Sequence, residues 1–159
     1  MNGVLKFSSL FLGIAIGAGI FSFVILNESK KLENKYEVRI NDQIIIADMV
    51  KSEKDRERGL SGRDSLGVNE GMLFNFSQNE QVVFWMKGMK FPIDIVWIKD
   101  GVVLGYIERV DPQVGVSEEK LEKYISPEPV NQVLELSAGR AKQMHLFVGA
   151  RVNAKPIIH

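Results

Sequence analysis

The sequence predicts a mainly β, β-rich α+β domain: one compact, barrel-like body with a few short helices, preceded by one N-terminal transmembrane helix. Three observations carry this reading. Several short apolar or alternating segments follow one another at close spacing, separated by turn residues. Asp100-Gly101, a dipeptide that tolerates positive φ, joins two of them as a tight hairpin. Finally, Phe7 to Leu26 carries no charge, and about twenty residues of helix span about 30 Å, the thickness of a hydrocarbon core.

In chain order, residues 1–26 are the anchor or signal segment and 27–35 a charged juxtamembrane linker; 36–159 form the folded domain. A cleaved signal peptide needs a shorter apolar core and small residues at the cut. Val24-Ile25-Leu26 lacks them, although Gly17-Ala18-Gly19 offers an alternative site. An uncleaved anchor is therefore the expectation. Lys30, Lys31 and Lys35 outnumber Lys6 across the segment, which by the positive-inside rule favours a cytoplasmic domain. A short tail leading straight into an apolar run behaves as an export signal, and the expected location is the cell membrane, single-pass, with the domain extracytoplasmic.

The folded part opens with Tyr36–Ile40, which alternates as a half-buried strand does, then the Asn41-Asp42 turn and a more apolar strand, Gln43–Val50. Ser52 with Asp55 three residues on makes a capping box for a charged helix, Glu53–Arg58, which Gly59 ends. Gly71–Phe76 and Gln81–Met86 read as strands split by the polar Ser77–Glu80. Ile93–Lys99 and Val102–Val110 form the hairpin. A polar loop with a helical turn at Glu118–Tyr124 leads to Pro127-Glu128-Pro129. Strand Val130–Leu136, a short helix Ser137–Met144 and a last strand Phe147–Val152 complete the domain.

Composition excludes several functions. The chain has 20 basic and 20 acidic residues, so nothing gives it the basic footprint of a nucleic-acid binder. Without cysteine there is no thiol nucleophile, thiolate zinc site or disulfide framework. No Gly-x-Ser-x-Gly elbow or phosphate-cradling glycine loop occurs in the domain, and only His145 and His159 offer imidazole. The methionines, including Met86-x-x-Met89, Met49, Met72 and Met144, supply soft copper(I) ligands on one reading and flexible core packing on the other. Core packing is the expectation, and no cofactor is expected.

Taken together, Arg58-Gly59-Leu60 before Arg63, Gly71-Met72-Leu73-Phe74-x-Phe76, Phe84-Trp85-Met86-Lys87, Pro92-Ile93-Asp94-Ile95-Val96 and Val133-Leu134-Glu135-Leu136-x-Ala138-Gly139 resemble the bacterial and archaeal domain-of-unknown-function family 192. The resemblance runs from about Val38 to Val152 and implies a compact β-rich domain, often exported or anchored, with no established activity. Ser61 stands where the family usually has Met, and Gly88-Met89 where it usually has Asn-Thr.

Two carboxylates sit within apolar strands, Asp94 and Glu135. A buried carboxylate needs a partner, because desolvating a lone charge costs several kcal/mol or more. Arg58, Arg63 and Lys87 are the obvious partners, in structural ion pairs or in a ligand site. Trp85 is a core residue on one reading and a flat wall for a small polar ligand on the other. The expected site is thus Arg58, Trp85, Lys87, Asp94 and Glu135, binding a small polar ligand or an envelope protein without catalysis. One alternative is an envelope hydrolase with Asp94 and Glu135 as its acid–base pair. The other is an accessory interaction domain without a pocket.

Overall fold

The computed structural model describes residues 34–157. The expected Phe7–Leu26 anchor, nearly all of the expected linker and His159 lie outside the described residues. Among those described, no helix is long and apolar enough to cross a membrane.

The domain is mainly β. Its strands are β1 (Lys35–Ile40), β2 (Gln43–Val50), β3 (Glu70–Glu80), β4 (Val83–Phe84), β5 (Ile93–Lys99), β6 (Val102–Val110), β7 (Tyr124–Ile125), β8 (Val130–Ser137) and β9 (Val152–Pro156). Two short α-helices, α1 (Glu53–Arg58) and α2 (Arg140–Gln143), and a 3₁₀ turn at Glu118–Lys120 accompany them. Seven strands form one sheet in the order β6-β5-β8-β3-β2-β1-β9, and β4 and β7 make a separate two-stranded ribbon. Within the large sheet only β2 and β3 run parallel, the crossover passing through α1. The sheet curls into a half-barrel. At one end Val102 bridges Arg151, and the N–H groups of Val103 and Gly149 bond the carbonyls of Ala150 and Val103.

Both faces of the sheet are packed, which explains why β5 reads as a nearly unbroken apolar run rather than an alternating one. Every strand of the large sheet contributes to the inner core, which includes Val38, Ile45, Leu73, Val96, Leu134 and Val152, and α2 delivers Ala141 to it. The outer face of the central strands carries Met72, Phe74, Ile95, Trp97 and Val133, covered by Leu60, Leu66, Val82, Met86 and Met89. The methionines therefore divide between two cores, Met49 and Met144 inside and Met72, Met86 and Met89 outside, and do not form one ligand set.

Several expectations need correcting. Strand β3 runs through Ser77–Glu80, because Glu80 still pairs with Val130 across a register shift; only the far end of β3 leaves the core, which is why it is polar. Of Gln81–Met86 only Val83 and Phe84 pair, with Ile125 and Tyr124. The helical turn shortens to Glu118–Lys120. The last strand begins at Val152, not Phe147, since Gly149 turns the chain at φ 95 and leaves Phe147 and Val148 exposed. Helix α2 starts at Arg140 because Gly139, at φ 82, is left-handed. The Ser52 cap is present: its hydroxyl accepts the N–H of Asp55 at 3.2 Å.

Asp94 is fully buried, on the inner face. Among the described residues it pairs with no arginine or lysine. Its Oδ1 accepts the N–H groups of Arg109 and Gly139, each at 2.9 Å, and its Oδ2 accepts that of Ala141 at 2.8 Å. Arg109, at φ 53, sits where β6 uses three residue steps against two on β5, and such a bulge frees an N–H from the ladder. The other two donors belong to the N-terminal turn of α2, whose capping glycine has no side chain to serve them. Replacing Asp94 by Asn aims an amide N–H₂ at one of these donors. Asp94→Asn is expected to lower unfolding free energy by about 2–4 kcal/mol in urea denaturation. A loss below about 0.5 kcal/mol would overturn this role.

Candidate functional site

Strand register fixes where the second carboxylate points. Glu135 pairs with Met72 on one side and Ile95 on the other, so it shares their outer face. Asp94 pairs with Leu136, on the inner face. The two carboxyl groups thus lie on opposite faces of one sheet, and the acid–base pair is removed by the alternation of side chains along a strand.

Glu135 instead lines a cavity of about 350 Å³ between the outer face of the sheet and the segments that cover it. Phe74 and Glu135 come from the sheet; Arg58, Leu60 and Ser61 come from α1 and the turn after it. Val82, Phe84, Trp85, Lys87 and Met89 come from β4 and its flanks. Of the five expected site residues, the structure brings together Arg58, Trp85, Lys87 and Glu135 and excludes Asp94. Around Phe84 the rings pack edge to face, against Phe74 at 4.9 Å and Trp97 at 5.6 Å between centroids. Trp85 is half-buried, and the Lys123 ammonium lies 4.0 Å over its ring.

Two basic groups at the mouth, Arg58 and Lys87, are paired. Arg58 meets Asp55 at 2.9 Å, and Lys87 meets Glu118 at 2.7 Å. Neither reaches Asp94 or Glu135, contrary to the expected pairing. Arg63 is also engaged elsewhere: it bonds Asp48 at 2.9 Å, where Lys35 binds the other carboxylate oxygen at 2.6 Å. Burial pushes the Asp48 carboxyl up, but these two hydrogen bonds outweigh it and hold the group below its ordinary range.

Glu135 has no such help. It is only 6% exposed, and its Oε2 is enclosed without a hydrogen-bond partner among the described residues. Burial pushes its pKa up to about 8, with the charge of Arg63 pulling weakly the other way. At neutral pH the floor of the cavity is therefore a neutral carboxylic acid, able to donate one hydrogen bond or to ionise when a counter-charge arrives.

The loop over the cavity is fixed by a close approach. Gly88, at φ 66, bonds the N–H of Gly62 through its carbonyl at 3.0 Å, and a Cβ on it would collide with Ser61 Oγ. Sequence reasoning passed over Phe74, Phe76 and Phe84 as cavity walls, because an aromatic in a strand looks the same whether it faces a core or a cavity. It also passed over Arg140, which is buried and bonds Gln43 and Asn69 away from the cavity.

The family model for DUF192, described as an uncharacterized ACR, matches residues 36–154. Among solved structures, a candidate transcription regulator from Sinorhizobium meliloti 1021 is 30% identical with a TM-score of 0.69, over 77% of this chain and 95% of that one. A protein of unknown function from Novosphingobium aromaticivorans DSM 12444 is 22% identical with a TM-score of 0.66, over 75% of this chain and 83% of that one, a likeness of fold. No curated protein matches the chain.

The raised pKa gives the site a pH signature. The folded domain holds the Glu135 proton up to about pH 8, whereas the unfolded chain releases it near 4.5. Folding therefore takes up a proton in this window, and stability falls as pH rises through it, by at most about 1.4 kcal/mol per unit. The contribution is full below the lower value and gone above the upper one. In Glu135→Gln this fall is expected to disappear from urea-denaturation curves between those limits; an unchanged slope would show that the acid is not held neutral.

Proposed function

Because the chain belongs to the DUF192 family, which carries no assigned reaction, we propose from its site that it is a non-enzymatic binding domain for a small ligand. The observation that carries this is the Glu135 carboxyl, enclosed and unpartnered at the floor of an aromatic-walled cavity of about 350 Å³. A buried polar group without a partner costs about 1–3 kcal/mol. A purely structural role would replace it by Leu, which occupies the flanking positions 134 and 136. Retaining an acid there fits a site whose missing partner arrives with the ligand.

Trp85 and Phe84 supply flat apolar walls, and Arg58 and Lys87 frame the mouth. Asp94 has no part in this reading, because all its hydrogen bonds go to the scaffold. The regulator description of the Sinorhizobium relative is not carried over, since the balanced charge of this chain gives no indication of a nucleic-acid partner. Glu135→Leu separates function from scaffold. The variant is expected to gain about 1–3 kcal/mol of stability while losing the binding that a ligand-observed NMR screen finds in wild type. A destabilised variant would make the acid structural.

The uncharged run Phe7–Leu26 supports tethering in the cell membrane, and the short tail that leads straight into it, as in an export signal, supports the outer side against the lysine count, where the domain would meet envelope solutes or proteins. Protease added to intact cells is then expected to digest the domain. Full protection, with digestion only after lysis, would place it in the cytoplasm.

A further inference from the structure

We propose that the cavity takes a small organic cation, an amidinium or a primary ammonium, whose N–H groups bond the Glu135 carboxylate. The inference rests on the ligand-binding reading above and names the class of ligand. Three observations carry it.

The first is the unmet acceptor. Glu135 Oε2 has no hydrogen-bond donor among the described residues, and the nearby cation, Arg63, is committed to Asp48. A ligand N–H supplies what the scaffold withholds. The neighbours of Glu135 across both strands, Met72 and Ile95, bring no charge that would compete.

The second is the wall. Phe74, Phe76, Phe84 and Trp85 line the cavity, and the negative faces of aromatic rings attract cations. Two of these rings already do so at the surface: the Arg56 guanidinium lies 5.1 Å over Phe76, and the Lys123 ammonium lies 4.0 Å over Trp85.

The third is the mouth. Its cations are satisfied: Arg58 by Asp55, Lys87 by Glu118, and Arg56 by the carbonyl of Lys51 at 2.6 Å. Its acids are not. Glu53, Glu57 and Glu80 line the opening and form no ion pair with a described residue. An anionic ligand would meet three unpaired glutamates and a floor that resists more negative charge; a cation meets those glutamates at the mouth, aromatic faces on the wall and Glu135 at the floor.

Such a ligand displaces a proton. The empty cavity holds Glu135 neutral, because burial pushes its pKa up to about 8. A cation favours the ionised form, so one proton leaves to solvent as it binds. Affinity must then rise with pH up to that pKa, by as much as about tenfold per unit. A neutral ligand accepting the acid's hydrogen bond must show the opposite slope. Sign alone separates the two.

Benzamidine, which stays charged over the range needed, and benzamide, its neutral counterpart, are suitable probes. Each is titrated calorimetrically into the full chain at about pH 6 and about pH 9, in buffers of different ionisation enthalpy. Benzamidine is expected to bind the more tightly, with affinity on the order of tenfold or more higher at the upper pH and proton release at the lower. In Glu135→Gln, checked for folding by thermal melting, the pH dependence should vanish; the wild-type slope stands as a test even if that variant does not fold. Benzamide binding more tightly, and more weakly as pH rises, would overturn the cation while leaving the binding pocket intact. Absence of binding by either probe would overturn both.

Discussion

The three hydrogen bonds to Asp94 are the interaction on which the rest of this structure depends. One side chain on β5 holds the bulge of β6 through Arg109 and the first turn of α2 through Gly139 and Ala141. Elements far apart in sequence are thereby fixed at one end of the half-barrel. With α2 in place, Ala141, Met144 and Leu146 complete the inner core. A neutral side chain offers fewer acceptor sites, and each of these N–H groups would otherwise be buried without a partner. The carboxylate is a scaffold part, and its full set of bonds is what disqualifies it from chemistry.

Glu135 is its complement. The two acids occupy neighbouring strands one register step apart, Asp94 opposite Leu136 and Ile95 opposite Glu135, yet they face opposite layers. One is fully satisfied and the other is not. The Asp48 carboxylate, further along the row through Met72, shows that the fold can supply cations to an acid on the outer face, since Lys35 and Arg63 both reach it. The same supply stops short of Glu135. A sheet packed on both faces has little room for an unsatisfied polar group unless that group borders a cavity, as this one does.

Strand identity was legible in the sequence wherever burial made a strand apolar, as in β2, β5, β6 and β8, and wherever a turn dipeptide fixed the hairpin at Asp100-Gly101, both of whose residues have positive φ. It was illegible where a strand projects past the core, as at Ser77–Glu80, since solvent-facing strand and loop share a composition. The Phe147-Val148 pair misled for the converse reason: apolar residues do not make a strand when no neighbour offers a ladder, and here the partner of β1 begins at Val152. For the site, alternation placed Glu135 opposite Leu134 and Leu136. It could not reveal that Asp94 is capped by backbone groups, because N–H donors from a bulge and a helix turn leave no trace in side-chain identity.

Ser61 and Gly88-Met89, the two places where the resemblance leads one to expect other residues, meet in the structure. Ser61 and Gly88, well separated in sequence, touch at the edge of the cavity, where Ser61 Oγ occupies the space that a Cβ at position 88 would need. The Gly62 N–H to the Gly88 carbonyl closes the same contact from the backbone side. A Cβ at 88 would require Ser61 Oγ to turn away, and the φ of 66 at Gly88 strains any residue but glycine there. Ser61, Lys87 and Met89 all line the cavity, so this contact stands at its edge. Glu135 is held by the sheet, between β3 and β5, whereas Ser61 and Gly88 lie in the segments that cover it. A substitution at either of these positions therefore alters the cover without touching the strand that carries the acid.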